Sequence, residues 1–221
     1  MIKRIPFSFF RISIFISIFL IHFSIAQSSS ISFERLSIEN GLSQSTCGAI
    51  AQDSLGFMWF GTQDGLNRYY GYSFKIYRTL QKPSCGLSNN FIYRLYVDSK
   101  GNLWAGTRQG LNLYNAITDK FIVFLNKPED STSIDGDAIQ AIFEDKSGTL
   151  WIGTRNGLNS FEWKDSTFVH YKIPGTDSSE SNLQMVYALS QDRSGNLLIG
   201  TGKEGLIRIT KLKKNGKAFY P

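Results

Sequence analysis

Short apolar-rich segments separated by polar, glycine-containing turns run through the chain from about residue 45 onwards, for example at 48–52, 57–62 and 93–97. Several of these turns have the form Asp-x-x-Gly. In such a turn Asp hydrogen-bonds its own backbone, and Gly adopts a positive φ at no steric cost. The pattern therefore predicts antiparallel hairpins and an all-β protein.

One motif recurs four times. Its Asp residues are Asp53, Asp98, Asp145 and Asp192, so successive copies lie 45, 47 and 47 residues apart. Three copies carry a tryptophan on the strand after the turn, namely Trp59, Trp104 and Trp151. The fourth copy has Leu198 at that position and one extra residue before its last Gly. Repetition at this spacing is typical of a stacked β unit, most often a propeller blade.

Each repeat predicts one blade of four short antiparallel strands. Two strands flank Asp-x-x-Gly, a second turn leads to a third strand, and a fourth is expected at 74–77, 121–124 and 168–171. Four strands in about 45 residues fit the size of a blade. We predict four β-propeller repeats over 45–80, 89–126, 137–173 and 184–221. The links between them, 81–87, 127–136 and 172–183, are rich in turn-forming residues and are expected to be surface loops.

The motif Asp-x-x-Gly-x-[Leu/Met]-Trp-x-Gly-Thr-x-x-Gly-Leu-Asn resembles the two-component regulator propeller repeat of the periplasmic sensor region of hybrid two-component sensor histidine kinases. The opening that begins at Phe33 also resembles the usual start of that region. The resemblance covers residues 31–210. It implies a ring of about seven blades in complete relatives, so four blades would be an incomplete propeller, either an N-terminal fragment or a truncated sensor. A closed four-bladed ring is the alternative.

Residues 1–26 predict a secretory signal. Lys3 and Arg4 precede an apolar run at 12–25, and 24–26 offer a small-x-small cleavage site. We expect a periplasmic protein whose signal is cleaved, with a retained membrane anchor as the alternative. Residues 27–44 are then a spacer followed by a leading strand at 31–38, which would complete the last blade of a ring. Full-length relatives would be anchored in the inner membrane.

The formal net charge of +6 does not indicate a nucleic-acid partner. Three of the 24 basic residues lie in 1–26 and four lysines lie in 211–217, which leaves 17 basic against 18 acidic residues, or about −1. The repeats therefore carry no basic face for nucleic acid. Cys47 and Cys85 occupy different places in their repeats, so unpaired thiols are expected rather than a disulfide.

The residues that recur in all four copies or in three of them are predicted to be structural. Asp53, Asp98, Asp145 and Asp192 would form turns, and Trp59, Trp104 and Trp151 would pack between blades. Residues that differ between copies are better ligand-binding candidates. They lie in the loop after Gly-Thr, on the same ring face as the links between blades: Gln63, Asp64, Arg108, Gln109, Arg155 and Asn156. Arginine and amide side chains suit carboxylates and sugar hydroxyls.

The function predicted from these features is ligand sensing, with a glycan fragment or another small molecule as the partner. No catalytic residue, metal or cofactor is predicted, because His170 is the only histidine after residue 26 and no catalytic motif is present. A protein-binding scaffold is the first alternative. A glycosidase or lyase propeller is the second, although Gly follows Asp by three positions here and by two in the sialidase Asp-box. An incomplete stack also predicts self-association through its uncovered face.

Overall fold

The computed structural model of the protein describes residues 31–79, 86–171 and 185–210. The chain divides into two units, Met1–Arg35 and Leu36–Pro221, and the second unit contains the repeats. The predicted signal segment, 1–26, lies outside the described residues. Within the described ranges, no helix has both the length and the apolar character needed to span a membrane.

Fifteen strands form four separate antiparallel sheets in the described ranges. The first blade contains β1 (Cys47–Gln52), β2 (Met58–Thr62), β3 (Gly65–Tyr69) and β4 (Phe74–Tyr77). The second contains β5 (Ile92–Val97), β6 (Leu103–Thr107), β7 (Leu111–Asn115) and β8 (Lys120–Phe124). The third contains β9 (Ile139–Glu144), β10 (Leu150–Thr154), β11 (Leu158–Glu162) and β12 (Thr167–Tyr171). The fourth contains β13 (Val186–Gln191), β14 (Leu197–Thr201) and β15 (Leu206–Ile209).

The strands of each blade pair in sequence order, as the repeat pattern predicted. The first strand of each blade contacts the first strand of the next, from β1 to β5, β9 and β13. The four sheets do not close into a ring. The prediction of all-β propeller blades in an incomplete propeller is therefore confirmed. The fourth blade is three-stranded in the described part of the chain, since 211–221 lie outside it.

The leading strand predicted at 31–38 is absent. Residues 31–37 have no regular secondary structure, and Ile38–Asn40 forms a short 3-10 helix. Ser37 caps this helix by accepting the backbone N–H of Glu39, and Gly41 ends it with φ 100°. This capping ends the extended segment at Ser37. Before it, Ile31 and Phe33 are 80% and 90% exposed, so their apolar side chains are not buried as they would be in a strand that completes a blade.

Three hydrophobic clusters hold the blades together, one at each junction. The first joins Trp59 and Leu66 of one blade to Leu103 and Phe121 of the next. The second is built around Trp104 and the third around Trp151. The three tryptophan side chains are 0%, 0% and 2% exposed. Because the core lies between sheets, each blade depends on its neighbour for burial of its apolar face.

Glycine is required where adjacent blades approach most closely. A Cβ built on Gly61, Gly106 or Gly153 would lie within 2.6 Å of a β-branched side chain at the start of the next blade. The side chains concerned are Ile92, Ile139 and Val186. Each of these glycines belongs to the Gly-Thr pair of the repeat, so the motif supplies a flat backbone surface against which the next blade packs.

The segment before the first blade and the ends of the links 81–87 and 127–136 are anchored inside the blade that follows each of them. Ser88 donates its backbone N–H to Asn112 Oδ1 at 2.9 Å, and its hydroxyl contacts Thr107 Oγ1 at 3.0 Å. Ser43 makes the same two contacts with Asn67 and Thr62 in the first blade. We call each such group a link anchor.

In the third blade Asp135 takes the place of serine, donating its N–H to Asn159 and accepting the Thr154 hydroxyl at its carbonyl. The links were predicted to be surface loops, and for the ends of 81–87 and 127–136 that prediction is wrong. Leu87 and Ile134, beside the anchors, are 4% and 0% exposed. The third predicted link, 172–183, lies outside the described residues.

Candidate functional site

The two faces of the blade stack differ in which loops they carry. The loops between the second and third strands share one face with the ends of the links, and we call it the loop face. Backbone hydrogen bonds tie them together: Gly65 N donates to Asn90 O at 2.8 Å, and Gly110 N donates to Asp137 O at 2.6 Å. The Asp-x-x-Gly turns lie on the opposite face, which we call the turn face.

A depression of about 280 Å³ opens on the loop face between the second and third blades. Its lining consists of Arg108, Gly136, Asp137, Ala138, Arg155 and Asn156. Three of the six predicted ligand-binding residues, Arg108, Arg155 and Asn156, are thus brought together although they come from different repeats. The site is small and open, which suits one charged or hydroxylated group of a larger ligand better than complete enclosure of that ligand.

The depression presents two arginines whose guanidinium groups have no hydrogen-bond or ion-pair partner among the described residues. Both side chains are exposed. Asn156 Nδ2 lies 3.4 Å from Asp135 Oδ1, and Asp137 adds one carboxylate to the rim. The lining residues therefore carry a formal charge of +1, with two planar donor groups available for a carboxylate or for vicinal hydroxyls.

Gly136 is needed for this arrangement. Its φ is +99°, and a Cβ there would lie 2.9 Å from Thr154 Oγ1 and 3.1 Å from the Asn156 side chain. The bare backbone at 136 lets the link end lie directly against the loop that carries Arg155 and Asn156.

The other three predicted ligand-binding residues do not join this site. Asp64 forms an exposed ion pair with Arg78, with Oδ2 at 2.8 Å from Nη2. Gln63 is exposed on the first blade, and Gln109 is exposed beside Arg108 without lining the depression. The Asp64 carboxylate is already paired with Arg78, so Asp64 stabilises its own loop.

The recurring Asp and Trp residues form a clamp that sequence analysis missed. Asp98 Oδ1 accepts the backbone N–H groups of Lys100 and Asn102, which closes the turn. Its Oδ2 accepts the Trp104 indole N–H at 2.8 Å. Asp53–Trp59 and Asp145–Trp151 make the same indole contact at 2.7 and 2.8 Å. A signal was present, because Asp and Trp lie six residues apart in three copies.

These hydrogen bonds affect the carboxylate of Asp145. Burial alone would raise its pKa, but donation from Ser147, Trp151 and Thr149 outweighs that effect and holds the pKa below its ordinary value. The pKa of Asp192 is also lowered, chiefly by the side chain and backbone of Asn196. The geometry thus favours ionised turn-closing carboxylates.

The remaining side chains considered from the sequence form no catalytic constellation. Cys47 is an exposed free thiol whose pKa is raised by burial, and Cys85 lies outside the described residues. The exposed His170 has Nε2 at 2.6 Å from Ser133 O. In residues 31–79, 86–171 and 185–210, no group of three or more His, Cys, Asp and Glu is placed to hold a metal.

Comparison with known proteins gives the same repeat. The family model described as "Two component regulator propeller" matches residues 86–109 and 133–156. Histidine kinase P4 of Formosa agariphila is 44% identical over 63 residues, which are 28% of this chain and 5% of that protein. The extracellular domain of a proposed hybrid two-component system from B. thetaiotaomicron is 30% identical, with a TM-score of 0.71 over 80% of this chain and 25% of that one.

A second extracellular domain, from a proposed one-component system of B. thetaiotaomicron, has a TM-score of 0.57 at 23% identity, over 76% of this chain and 22% of that one. It supports the fold alone. The chain thus spans a quarter or less of the length of these relatives. The fold and the repeats define a β-propeller repeat protein. The segments 86–109 and 133–156 match the two-component regulator propeller repeat, as the sequence predicted.

Proposed function

We propose that this chain is a ligand-sensing portion of an exported two-component signal-transduction sensor and that it acts in the periplasm. Support comes from the regulator-propeller repeats and from the similarity to an extracellular domain of a hybrid two-component system. In this proposal the chain binds and does not catalyse. The signal would pass to a kinase region of the kind named in the Formosa relative.

The ligand site we propose is the loop-face depression between the second and third blades. The observation that carries it is the convergence of Arg108 and Arg155, with no partner among the described residues, beside Asn156. Two planar donors side by side favour a ligand with carboxylate and hydroxyl groups. A glycan fragment, in particular one containing an acidic sugar, is the class that fits best.

The test is a glycan array with acidic and neutral oligosaccharides probed with the full chain, followed by calorimetric titration of each binder. We expect acidic fragments to bind, and Arg155→Gln and Arg108→Gln each to weaken them by about tenfold or more, the scale of one lost charge-assisted hydrogen bond. Arg193→Gln is the matched control, because Arg193 is exposed on the turn face. An array without any binder, or equal losses from all three variants, would contradict the proposal.

A protein-binding scaffold remains the second candidate, since the same open and charged loop face can accept an acidic segment of a partner. The scaffold function would be favoured if a stable partner co-purifies with the chain, is lost in Arg155→Gln, and no oligosaccharide binds. A glycosidase or lyase receives less support. The depression has one carboxylate on its lining, whereas glycoside hydrolysis generally needs a pair. Turnover of a reporter glycoside would support the glycosidase alternative.

A further inference from the structure

A second opening lies on the turn face between the first and second blades, with a volume of about 330 Å³. This junction lacks a side-chain tie that the other two have. Glu144 accepts the N–H and hydroxyl of Ser99, and Gln191 accepts the N–H of Lys146 at 3.0 Å. Val97 holds the corresponding position, just before Asp98, and offers no side-chain acceptor to Ser54. We call the opening the turn-face cleft.

Arg68 stands at the inner side of this cleft, on β3 opposite Trp59. The same repeat position holds Leu113 in the second blade and Ser160 in the third. The guanidinium carbon lies 3.9 Å from the centroid of the Phe57 ring and 5.2 Å from that of Tyr70. A cation packed against two aromatic rings is restrained in position before any ligand arrives.

The hydrogen bonding of Arg68 is incomplete. Nη1 donates to Tyr114 Oη at 3.2 Å, while Nε is buried and has no partner among the described residues. The two ion pairs of the described chain, Lys75–Asp119 and Arg78–Asp64, do not include Arg68. Asp53 also lines the cleft, but its oxygens already accept the backbone N–H groups of Leu55 and Phe57 and the indole N–H of Trp59. Nη2 has no hydrogen-bond partner among the described residues and is not buried, so it is the donor that a ligand in the cleft can reach.

The rest of the cleft is mainly apolar. Leu103 and Leu113 form its floor, and three exposed side chains form its rim: Leu55, Ile117 and Ile122 are 69%, 96% and 48% exposed. The charged residues of the lining are Arg68 and Asp53, and the Asp53 oxygens already accept three N–H groups of its own repeat. The cleft therefore offers one available cationic donor on a mainly apolar surface, which matches a molecule with one anionic group on an apolar body.

We infer that the turn-face cleft is a binding site for a small carboxylate with an apolar body, held by its carboxylate on Arg68 and by its hydrocarbon part against Leu113, Ile117 and Ile122. This inference does not depend on the proposed loop-face site, since the two openings lie on opposite faces and between different pairs of blades. Within the cleft the carboxylate would accept a charge-assisted hydrogen bond from Nη2 of Arg68, since Nε is buried and Nη1 already donates to Tyr114 Oη.

Titration of the full chain with octanoate, followed by calorimetry and by Trp fluorescence, tests the inference. Octan-1-ol, with the same hydrocarbon chain and no charge, is the ligand control. We expect octanoate to bind at least about tenfold more tightly than octanol, since the charge-assisted contact is absent for the alcohol. Arg68→Met should remove this difference. Arg208→Met is the matched control because Arg208 holds the same repeat position in the fourth blade.

Equal binding of octanoate and octanol, no octanoate binding, or unchanged binding in Arg68→Met would overturn the inference. Circular dichroism checks the fold of each variant. If Arg68→Met is unfolded, Ile117→Glu and Ile117→Lys test the inference in its place. Ile117 is 96% exposed, so its replacement leaves the core intact. A carboxylate-binding cleft requires weaker octanoate binding in the Glu variant than in the Lys variant. The same affinity in both would count against the site.

Discussion

At the scale of single residues, the repeat is built around one carboxylate that performs two tasks. Its first oxygen closes the Asp-x-x-Gly turn, and its second fixes the orientation of a buried tryptophan that fills the gap to the next blade. In the fourth blade Leu198 replaces tryptophan, and Asn196 Nδ2 donates to Asp192 Oδ2 at 2.7 Å instead. The turn therefore forms in a blade that has no indole.

We expect Asp145→Ala to lower the free energy of unfolding at pH 7 by about 2–3 kcal/mol. The substitution removes hydrogen bonds to a charged acceptor and leaves the Trp151 indole N–H buried without one. Urea denaturation followed by Trp fluorescence measures the change. Asp192→Ala is the matched control and should cost less, because no indole depends on Asp192. Equal losses in the two variants would show that the turn alone matters.

The native protein and Asp145→Ala should respond differently to acid. The pKa of Asp145 lies below its ordinary value of 3.8 in the folded protein. Its contribution is therefore complete above about pH 4 and is lost as the pH falls through the lower folded-state pKa. The stability difference between the native protein and Asp145→Ala should shrink between pH 4 and pH 2. A difference that stays constant over this window would contradict the assignment.

Sequence reasoning located these residues but not all of their contacts. The turns were predictable because Asp-x-x-Gly acts within a few residues. The clamp from Asp145 to Trp151 had one sequence signal, the constant six-residue spacing, but that spacing does not show that the folded hairpin places the indole N–H against its own turn. Likewise Arg108 and Arg155 could be named as loop residues, but their convergence depends on how one blade stacks on the next. Arg68 was overlooked because its unpaired donor is a property of the blade junction.

At the scale of elements, the closeness of adjacent blades is set by the glycine of the Gly-Thr pair. Gly106 receives the Ile139 side chain, whose Cγ2 would lie 2.6 Å from a Cβ at that position. Gly200 in the fourth blade has only Ala188 of its own blade nearby, at 3.3 Å. The spacing between sheets therefore depends on the absence of a side chain at one position on the second strand.

We expect Gly106→Ala to destabilise the protein by about 1–3 kcal/mol, the usual cost of overpacking a core, because Ile139 and the third blade would have to move outward. Gly200→Ala is the matched control and should change stability by less than about 1 kcal/mol, since no described blade lies against it. Thermal denaturation measures both. A Gly200→Ala loss as large as that of Gly106→Ala would show that backbone freedom, and not blade contact, explains the glycine.

At the scale of the whole molecule, the stack has open ends in the described ranges. Leu206 is 72% exposed, whereas Leu66, Leu111 and Leu158 at the same repeat position are at most 1% exposed, because a following blade covers them. Ile50 on the opposite end of the stack is 61% exposed. An apolar blade face of this kind favours contact with another blade.

We therefore expect a polypeptide of this sequence to self-associate as its concentration rises. Sedimentation velocity over a range from micromolar to about a hundred micromolar tests this. Leu206→Lys should shift the distribution towards monomer, since it places a charge on the blade face. Ile117→Lys, at an even more exposed apolar residue away from that face, should leave association unchanged. A monomer at every concentration, with cooperative unfolding, would refute the expectation.

The link anchors bear on how such a protein can change its length during evolution. Ser88 is hydrogen-bonded to Thr107 and Asn112 of its own repeat. A stretch that begins near Gly86 and ends before Ser133 therefore contains all the residues of its own link anchor. Duplication or deletion of that stretch as a cassette leaves the neighbouring repeats with every anchor still complete. A crossover between residues 88 and 107 would instead separate an anchor from its acceptor. Gene rearrangements that preserve folding should therefore have their breakpoints in the links.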